Sequence, residues 1–328
     1  MIPRVRLESI SLLLGLLLAL AGRGLTAEKG ATFPSGVIET TYPCSSDNSP
    51  QPTLFYAPNN LRESRPLLVG LHTWSGNYQQ EGSIPMAQWC VDHQWIFVHP
   101  NFRGQNWTPE ACGSDTAVRD IVDAVAFARS KATVDPKRIY LMGTSGGGHM
   151  ALLMAGRHPE LWAGVSAWVP ISDLSAWFYE CQVAGQRYAL DLIKVFGAPP
   201  HHSEPLKQAY AHRSPITWLH RARTIPIDIN AGIRDGHDGS VPISHSLMAF
   251  NRLVPEEDRV AFTDIITLTG KKTVPENSSH ASLRDPIYGT KQPLFRKVSG
   301  STRLTIFDGA HEGLPEAGLT WLARQRKP

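Results

Sequence analysis

A chain of 328 residues with 32 basic and 29 acidic side chains, net charge +3, can hold one large domain or two small ones. The charge is spread along the chain without a basic block, so the electrostatic footprint of a nucleic-acid binder is missing. Its 25 prolines and 27 glycines call for many turns, which suits a mixed α/β enzyme better than a helical bundle.

The first 27 residues are expected to be removed rather than folded. Arg4 and Arg6 supply a positive start, Ile10 to Leu20 an apolar run broken only by Ser11 and Gly15, and Leu25-Thr26-Ala27 a small-residue site for cleavage after Ala27. This is the pattern of a secretory signal peptide. The run is short for a membrane span, and no other stretch of about 18 apolar residues follows. The expectation is a secreted or periplasmic protein, free of the membrane after signal cleavage, with one domain over 28–328. Cys44, Cys90, Cys112 and Cys181 form no C-x-x-C pair, which argues against zinc or a redox dithiol. An oxidising compartment makes up to two disulfides plausible, with all three full pairings open.

In chain order, Val37 to Tyr42 and Thr53 to Tyr56 read as an antiparallel hairpin. Pro66 to His72 and Trp95 to His99 are near-continuous apolar runs, the mark of strands buried on both faces, with a helix through Met86 to His93 between them. Asn101 to Ser114 is a loop. From Asp115, Val118, Ile121, Val122, Val125 and Ala126 recur at helical spacing. A strand over Ile139 to Met142, a helix through His158 and a strand over Ala163 to Val169 continue the alternation, which predicts a parallel sheet. The rhythm stops at 171–224, expected to be a helical, lid-like insertion, and resumes with a strand over Ile225 to Ala231 and a helix over His245 to Leu253. Residues 255–300 are expected to be irregular, with one possible hairpin. A strand over Arg303 to Phe307 and a helix over Leu314 to Arg324 close the chain.

The chemistry gathers around Gly143-Thr144-Ser145-Gly146-Gly147, a G-x-S-x-G turn between strand and helix. Such a turn lifts a serine hydroxyl out of the sheet, and flanking glycines avoid collisions with neighbouring backbone. A serine needs a base, and the base a third group to fix its tautomer. His311, four residues past Phe307 in the loop before the last helix, is the candidate base among 13 histidines. For the acid, Asp235 stands three residues beyond Gly232 and Asp238 three before Val241-Pro242; closeness to the strand end favours Asp235. Asp173 is a weaker candidate, better read as a helix cap, and Asp308 lies too near His311 along one loop. The oxyanion donors are expected to be the N–H of Gly146 and that of Thr73 or Trp74. Trp107, Trp177 and Arg103 are candidates for binding substrate at the mouth, with Trp74, Phe178 and Arg234 nearby in the same segments. This chemistry needs no cofactor. Adjacent His201-His202 point apart on a helix, and no H-E-x-x-H spacing exists, so no metal site is expected.

These residues resemble the α/β-hydrolase fold, and more narrowly its prolyl oligopeptidase-related and secreted-esterase branches. Gly143 to Gly147 resembles the nucleophile elbow. Leu71 to Gly76 resembles the H-G oxyanion loop with Thr73 in place of glycine. Gly232 to Pro242 resembles a G-x-x-D-x-x-V-P acid loop with three extra residues, and Phe307 to His311 the histidine loop. The resemblance implies a mainly parallel sheet flanked by helices and a serine hydrolase, an esterase before a peptidase; an exported, aromatic-lined cleft suits small-molecule or saccharide esters, acylated carbohydrates or aromatic esters among them. A peptidase of the prolyl oligopeptidase kind, or a non-catalytic binding protein on the same scaffold, are the alternatives.

Overall fold

The computed structural model describes residues 32–59, 63–275 and 283–328; the expected signal peptide over 1–27 lies outside them. Nine strands are formed by these residues: β1 (Ile38–Pro43), β2 (Pro50–Tyr56), β3 (Arg65–Leu71), β4 (Ile96–Pro100), β5 (Val134–Thr144), β6 (Gly164–Trp168), β7 (Ile227–Gly232), β8 (Pro293–Ser299) and β9 (Thr302–Phe307). They make one sheet in the order β1-β2-β4-β3-β5-β6-β7-β9-β8. The six strands from β4 to β9 in that order run parallel, and both edges are antiparallel, β1-β2 against β4 on one side and β8 against β9 on the other.

The helices are α1 (Ile84–Asp92), α2 (Asp115–Lys131), α3 (Gly146–Arg157), α4 (Leu174–Val183), α5 (Tyr188–Phe196), α6 (Glu204–His212), α7 (Pro215–Trp218), α8 (Ser244–Leu253), α9 (Phe262–Ile266) and α10 (Pro315–Leu322). Alternation along the strands divides the core into two layers. Leu67, Val69 and Leu71 of β3 with Ile139 and Leu141 of β5 pack against α2, α3 and α8. Leu68, Tyr140 and Met142 point the other way, onto Met86, Ala87 and Cys90 of α1 and Ala317, Leu319 and Leu322 of α10. Burial on both faces is why these strands read as unbroken apolar runs.

The alternation in β7 admits two polar residues. Asp228 is fully buried, and its carboxylate accepts from Arg303 Nε at 2.7 Å, Ser166 Oγ at 3.1 Å and Asn230 Nδ2 at 2.8 Å. Asn230 in turn accepts from the Tyr288 hydroxyl at 2.6 Å. A buried charge survives only when paired and hydrogen-bonded in this way.

Residues 171–224 carry α4 to α7 and no strand, as the loss of rhythm at Ile171 implies. Their apolar side chains, including Trp177, Phe178, Leu192 and Tyr210, form a third cluster that also takes in Trp74 from the loop after β3 and Val241 from the loop after β7. Two expectations need correcting. Residues 255–300 are not simply irregular, since they supply α9 and the edge strand β8, which turns at Gly300 into β9. The four cysteines are unpaired and buried, so no disulfide joins them.

Candidate active site

β5 ends at Thr144 and α3 begins at Gly146, leaving Ser145 alone in the turn. Its backbone sits at φ 60°, ψ −118°, a region that a residue with a Cβ seldom enters, and its N–H donates to Trp168 O at 2.8 Å. Strain of that kind persists only where the surroundings enforce it. The enforcement comes from close backbone approach: a Cβ on Gly146 would lie 2.4 Å from Trp74 N and 2.5 Å from Trp74 Cα. Glycine is therefore required for the loop after β3 to lie against the start of α3.

His311 hangs from the loop between β9 and α10, and Asp235 from the loop after β7. Asp235 Oδ2 lies 2.8 Å from His311 Nδ1, and His311 Nε2 lies 2.8 Å from Ser145 Oγ. An ionised carboxylate only accepts, so the proton sits on Nδ1 and leaves Nε2 to accept from the Ser145 hydroxyl. Asp235 is 2 % exposed. Its other oxygen accepts from Gly236 N at 2.9 Å and Val241 N at 3.1 Å, which fixes the carboxylate plane toward His311. The two loops are tied to each other by Ile233 N donating to Phe307 O, Arg234 N donating to Gly309 O, and an Arg234–Asp308 ion pair at 2.6 Å.

Asp238, the alternative acid, faces away: it is exposed and lies 3.5 Å from Arg234 Nε. Asp173 caps α4, accepting from Ser175 N and Ala176 N, and Asp308 is engaged by Arg234.

Of the expected oxyanion donors, the Thr73 N–H is already taken by Gln80 Oε1 at 3.0 Å. Among the described residues no protein acceptor takes the Trp74 N–H, which lies against Gly146. The loop is anchored below by His72, whose ring stacks on Phe102 at 3.8 Å and whose two nitrogens lie 2.8 Å from Thr73 O and 2.9 Å from Asn101 O. Burial pushes this imidazole down to about 4.

The expected substrate-binding side chains fare differently. Arg103 is held between Asp47, at 2.8 Å, and the buried Asp120, also at 2.8 Å, so its fork is spent on structure. Trp177 is 1 % exposed and donates through Nε1 to Ser240 O at 2.8 Å, supporting the acid loop from beneath. Trp107 is half-buried, with the Arg187 guanidinium 5.6 Å from its ring centre. Sequence reasoning missed three contributors. Ser240 Oγ lies 3.4 Å from His311 Nε2, Gln80 braces Thr73 through both N–H and Oγ1, and Arg187 reaches Ser75 beside Trp74. The extra length of the acid loop was the available signal for Ser240; nothing local marked the other two.

A profile of the prolyl oligopeptidase family matches residues 84–272. Acetylxylan esterase A of Emericella nidulans is 27 % identical over 127 residues, 35 % of this chain and 41 % of that protein. An acetylxylan esterase of Coprinopsis cinerea is 23 % identical over 313 residues, 91 % of this chain and 75 % of its own length. Among solved structures, an acylaminoacyl peptidase of Pyrococcus horikoshii superposes with a TM-score of 0.52 at 18 % identity, covering 66 % of this chain and 35 % of that one. The chain thus spans about two-fifths of the first of these relatives and a third of the solved peptidase, and the structural likeness establishes the α/β-hydrolase fold.

Proposed function

The chain belongs to the prolyl oligopeptidase family, and from that premise we propose that it is an exported serine hydrolase that cleaves carboxylic esters through an acyl-enzyme. The hydrogen-bonded series Asp235–His311–Ser145, with both links at 2.8 Å, carries the reading. Ser145 Oγ attacks the ester carbonyl while His311 Nε2 takes its proton, and Asp235 stabilises the imidazolium that results. The N–H groups of Gly146 and Trp74 receive the developing oxyanion, worth about 10²–10³ in rate per donor. His311 then protonates the departing alcohol, and water, deprotonated by the same nitrogen, releases the acid and restores Ser145.

Acylated carbohydrates are the proposed substrates, with aromatic esters next. Support comes from the two acetylxylan esterases among the relatives. Export rests on the signal-like start of the sequence; among the described residues no helix is long and apolar enough to cross a membrane. The peptidase alternative draws on the family and on the acylaminoacyl peptidase likeness. Assays of purified protein on 4-nitrophenyl acetate, acetylated xylo-oligosaccharides, methyl ferulate and aminoacyl amides separate the two. Esters are expected to exceed amides in kcat/KM; amides turned over faster than every ester would replace this reading with the peptidase one.

A further inference from the structure

We infer that Arg187 is a recognition residue at the mouth of the site, and that the preferred esters are acylated saccharides carrying a carboxylate, as in a uronic acid unit. The inference deepens the esterase reading and rests on it. Its first support is position. Gln186 Nε2 donates to Gly239 O at 3.3 Å, on the loop that holds Asp235. The next residue, Arg187, donates from Nη2 to Ser75 Oγ at 2.8 Å, on the loop that holds Trp74. Those two loops flank Ser145. Adjacent Cα atoms are about 3.8 Å apart, so these two consecutive residues bridge the acid loop and the oxyanion loop, as the buried Trp177 does through Ser240 O and the Trp74 ring.

The second support is that this guanidinium is held without being neutralised. It lies 5.6 Å from the Trp107 ring centre and 5.7 Å from that of Tyr188. Tyr188 is itself stacked on Trp177, with centroids 5.1 Å apart, and Trp177 meets Trp74 edge-on at 4.7 Å. A chain of rings thus runs from the oxyanion loop to Arg187. No carboxylate of the described residues lies within ion-pair distance of it, whereas the arginines singled out from sequence are both taken: Arg103 by Asp47 and Asp120, Arg234 by Asp308 and Asp238. Only the contact with Ser75 uses one of the five N–H donors. Aromatic faces exclude water from a guanidinium while leaving its edge free, and that edge matches a carboxylate in bidentate geometry. Arg187 is exposed, so the group it binds must arrive from solvent with the substrate.

The test compares kcat/KM on acetylated xylo-oligosaccharides with and without a glucuronic acid branch, for wild type, Arg187→Ala and Arg187→Lys. The wild type is expected to favour the acidic substrate by about tenfold to a hundredfold, the worth of a charge-assisted pair, with the gain in KM. Arg187→Ala is expected to bring the ratio to about one. Arg187→Lys keeps the charge without the fork and is expected to fall between. A wild-type ratio of about one, or an Arg187→Ala ratio equal to that of the wild type, overturns the inference. Turnover of 4-nitrophenyl acetate by the wild type distinguishes the failures. If it is present with a ratio near one, only the Arg187 assignment falls. If the wild type turns over no ester at all, the esterase reading falls and takes this inference with it.

Discussion

Replacing Asp235 by asparagine isolates the orientation of the base. In the wild type, one carboxylate oxygen faces two backbone donors, Gly236 N and Val241 N, and the other faces His311 Nδ1. Asparagine must turn its carbonyl oxygen toward the two N–H groups, because its amide nitrogen cannot accept from them. The NH₂ group then points at His311 Nδ1, which is forced to accept, and the ring proton moves to Nε2, opposite Ser145 Oγ. The nitrogen that should take the serine proton already carries one. Substitutions that impose the wrong tautomer in such an arrangement lower kcat about 10⁴-fold, equivalent to about 5.4 kcal/mol at 1.36 per tenfold. Asp238→Asn removes only an exposed partner of Arg234 and leaves the contacts of Asp235 and His311 in place, so its kcat is expected to stay within about threefold. Steady-state hydrolysis of a 4-nitrophenyl ester by both variants, with circular dichroism to check folding, gives the answer. A loss below tenfold for a folded Asp235→Asn, or a larger loss for Asp238→Asn, would refute the assignment of the acid.

Other expectations concern the scaffold around the site. Gly146→Ala puts a methyl group 2.4 Å from Trp74 N, so it is expected to displace that donor and cost about 10²-fold or more in kcat; near-normal turnover in the folded variant would show that Trp74 N–H is dispensable. Burial pushes His72 and His149 down to about 4 and His99 to about 3. Their folded values lie below the unfolded value near 6.5, so the unfolded chain binds more protons and stability falls as pH drops from about 6.5 to about 4. Each contributes a loss of about 2 kcal/mol at pH 5, to be read as a lower urea midpoint at pH 5 than at pH 7; an equal or higher midpoint contradicts it. Burial raises the thiols of Cys112 and Cys181 to about 12, and that of Cys90 well above its ordinary value. Ellman's reagent should therefore titrate no thiol in the native protein and all four after unfolding without reductant; fewer than four would reveal a disulfide.

The parts of the fold that were legible in the sequence share one physical property: burial on both faces of the sheet. β3, β4 and β6 are packed on each face, and their near-continuous apolar runs are a direct imprint of that environment; β7 and β9 alternate instead, with the buried Asp228 and Asn230 of one and Arg303 of the other satisfying each other on the second face. β8 escaped because it is an edge strand, with Arg296, Lys297 and the exposed Val298 giving no such run. β5 also begins earlier than its apolar stretch, at Val134, where Asp135 and Pro136 resembled a break between units. In the candidate site, the approach of His311 to Ser145 was legible because the order of the loops along the chain brings them together. Spacing could not separate Asp235 from Asp238, because it does not show that the long acid loop folds back to bring the Val241 N–H onto Asp235. Arg103 was assigned to substrate because its partners, Asp47 and Asp120, lie 56 and 17 residues away in sequence. Arg187 went unnoticed for the same reason: Ser75 and Trp107 meet it only in three dimensions.

The proposed mechanism turns on the activation of Ser145 by His311. It is tested most directly by treating wild type, Ser145→Ala and His311→Ala with a fluorophosphonate probe and locating the adduct by peptide mass spectrometry. One adduct is expected, on Ser145, formed rapidly in the wild type, absent in Ser145→Ala and slowed by several orders of magnitude in His311→Ala. A wild-type protein that takes up no probe, or one labelled equally well after Ser145→Ala, would contradict it.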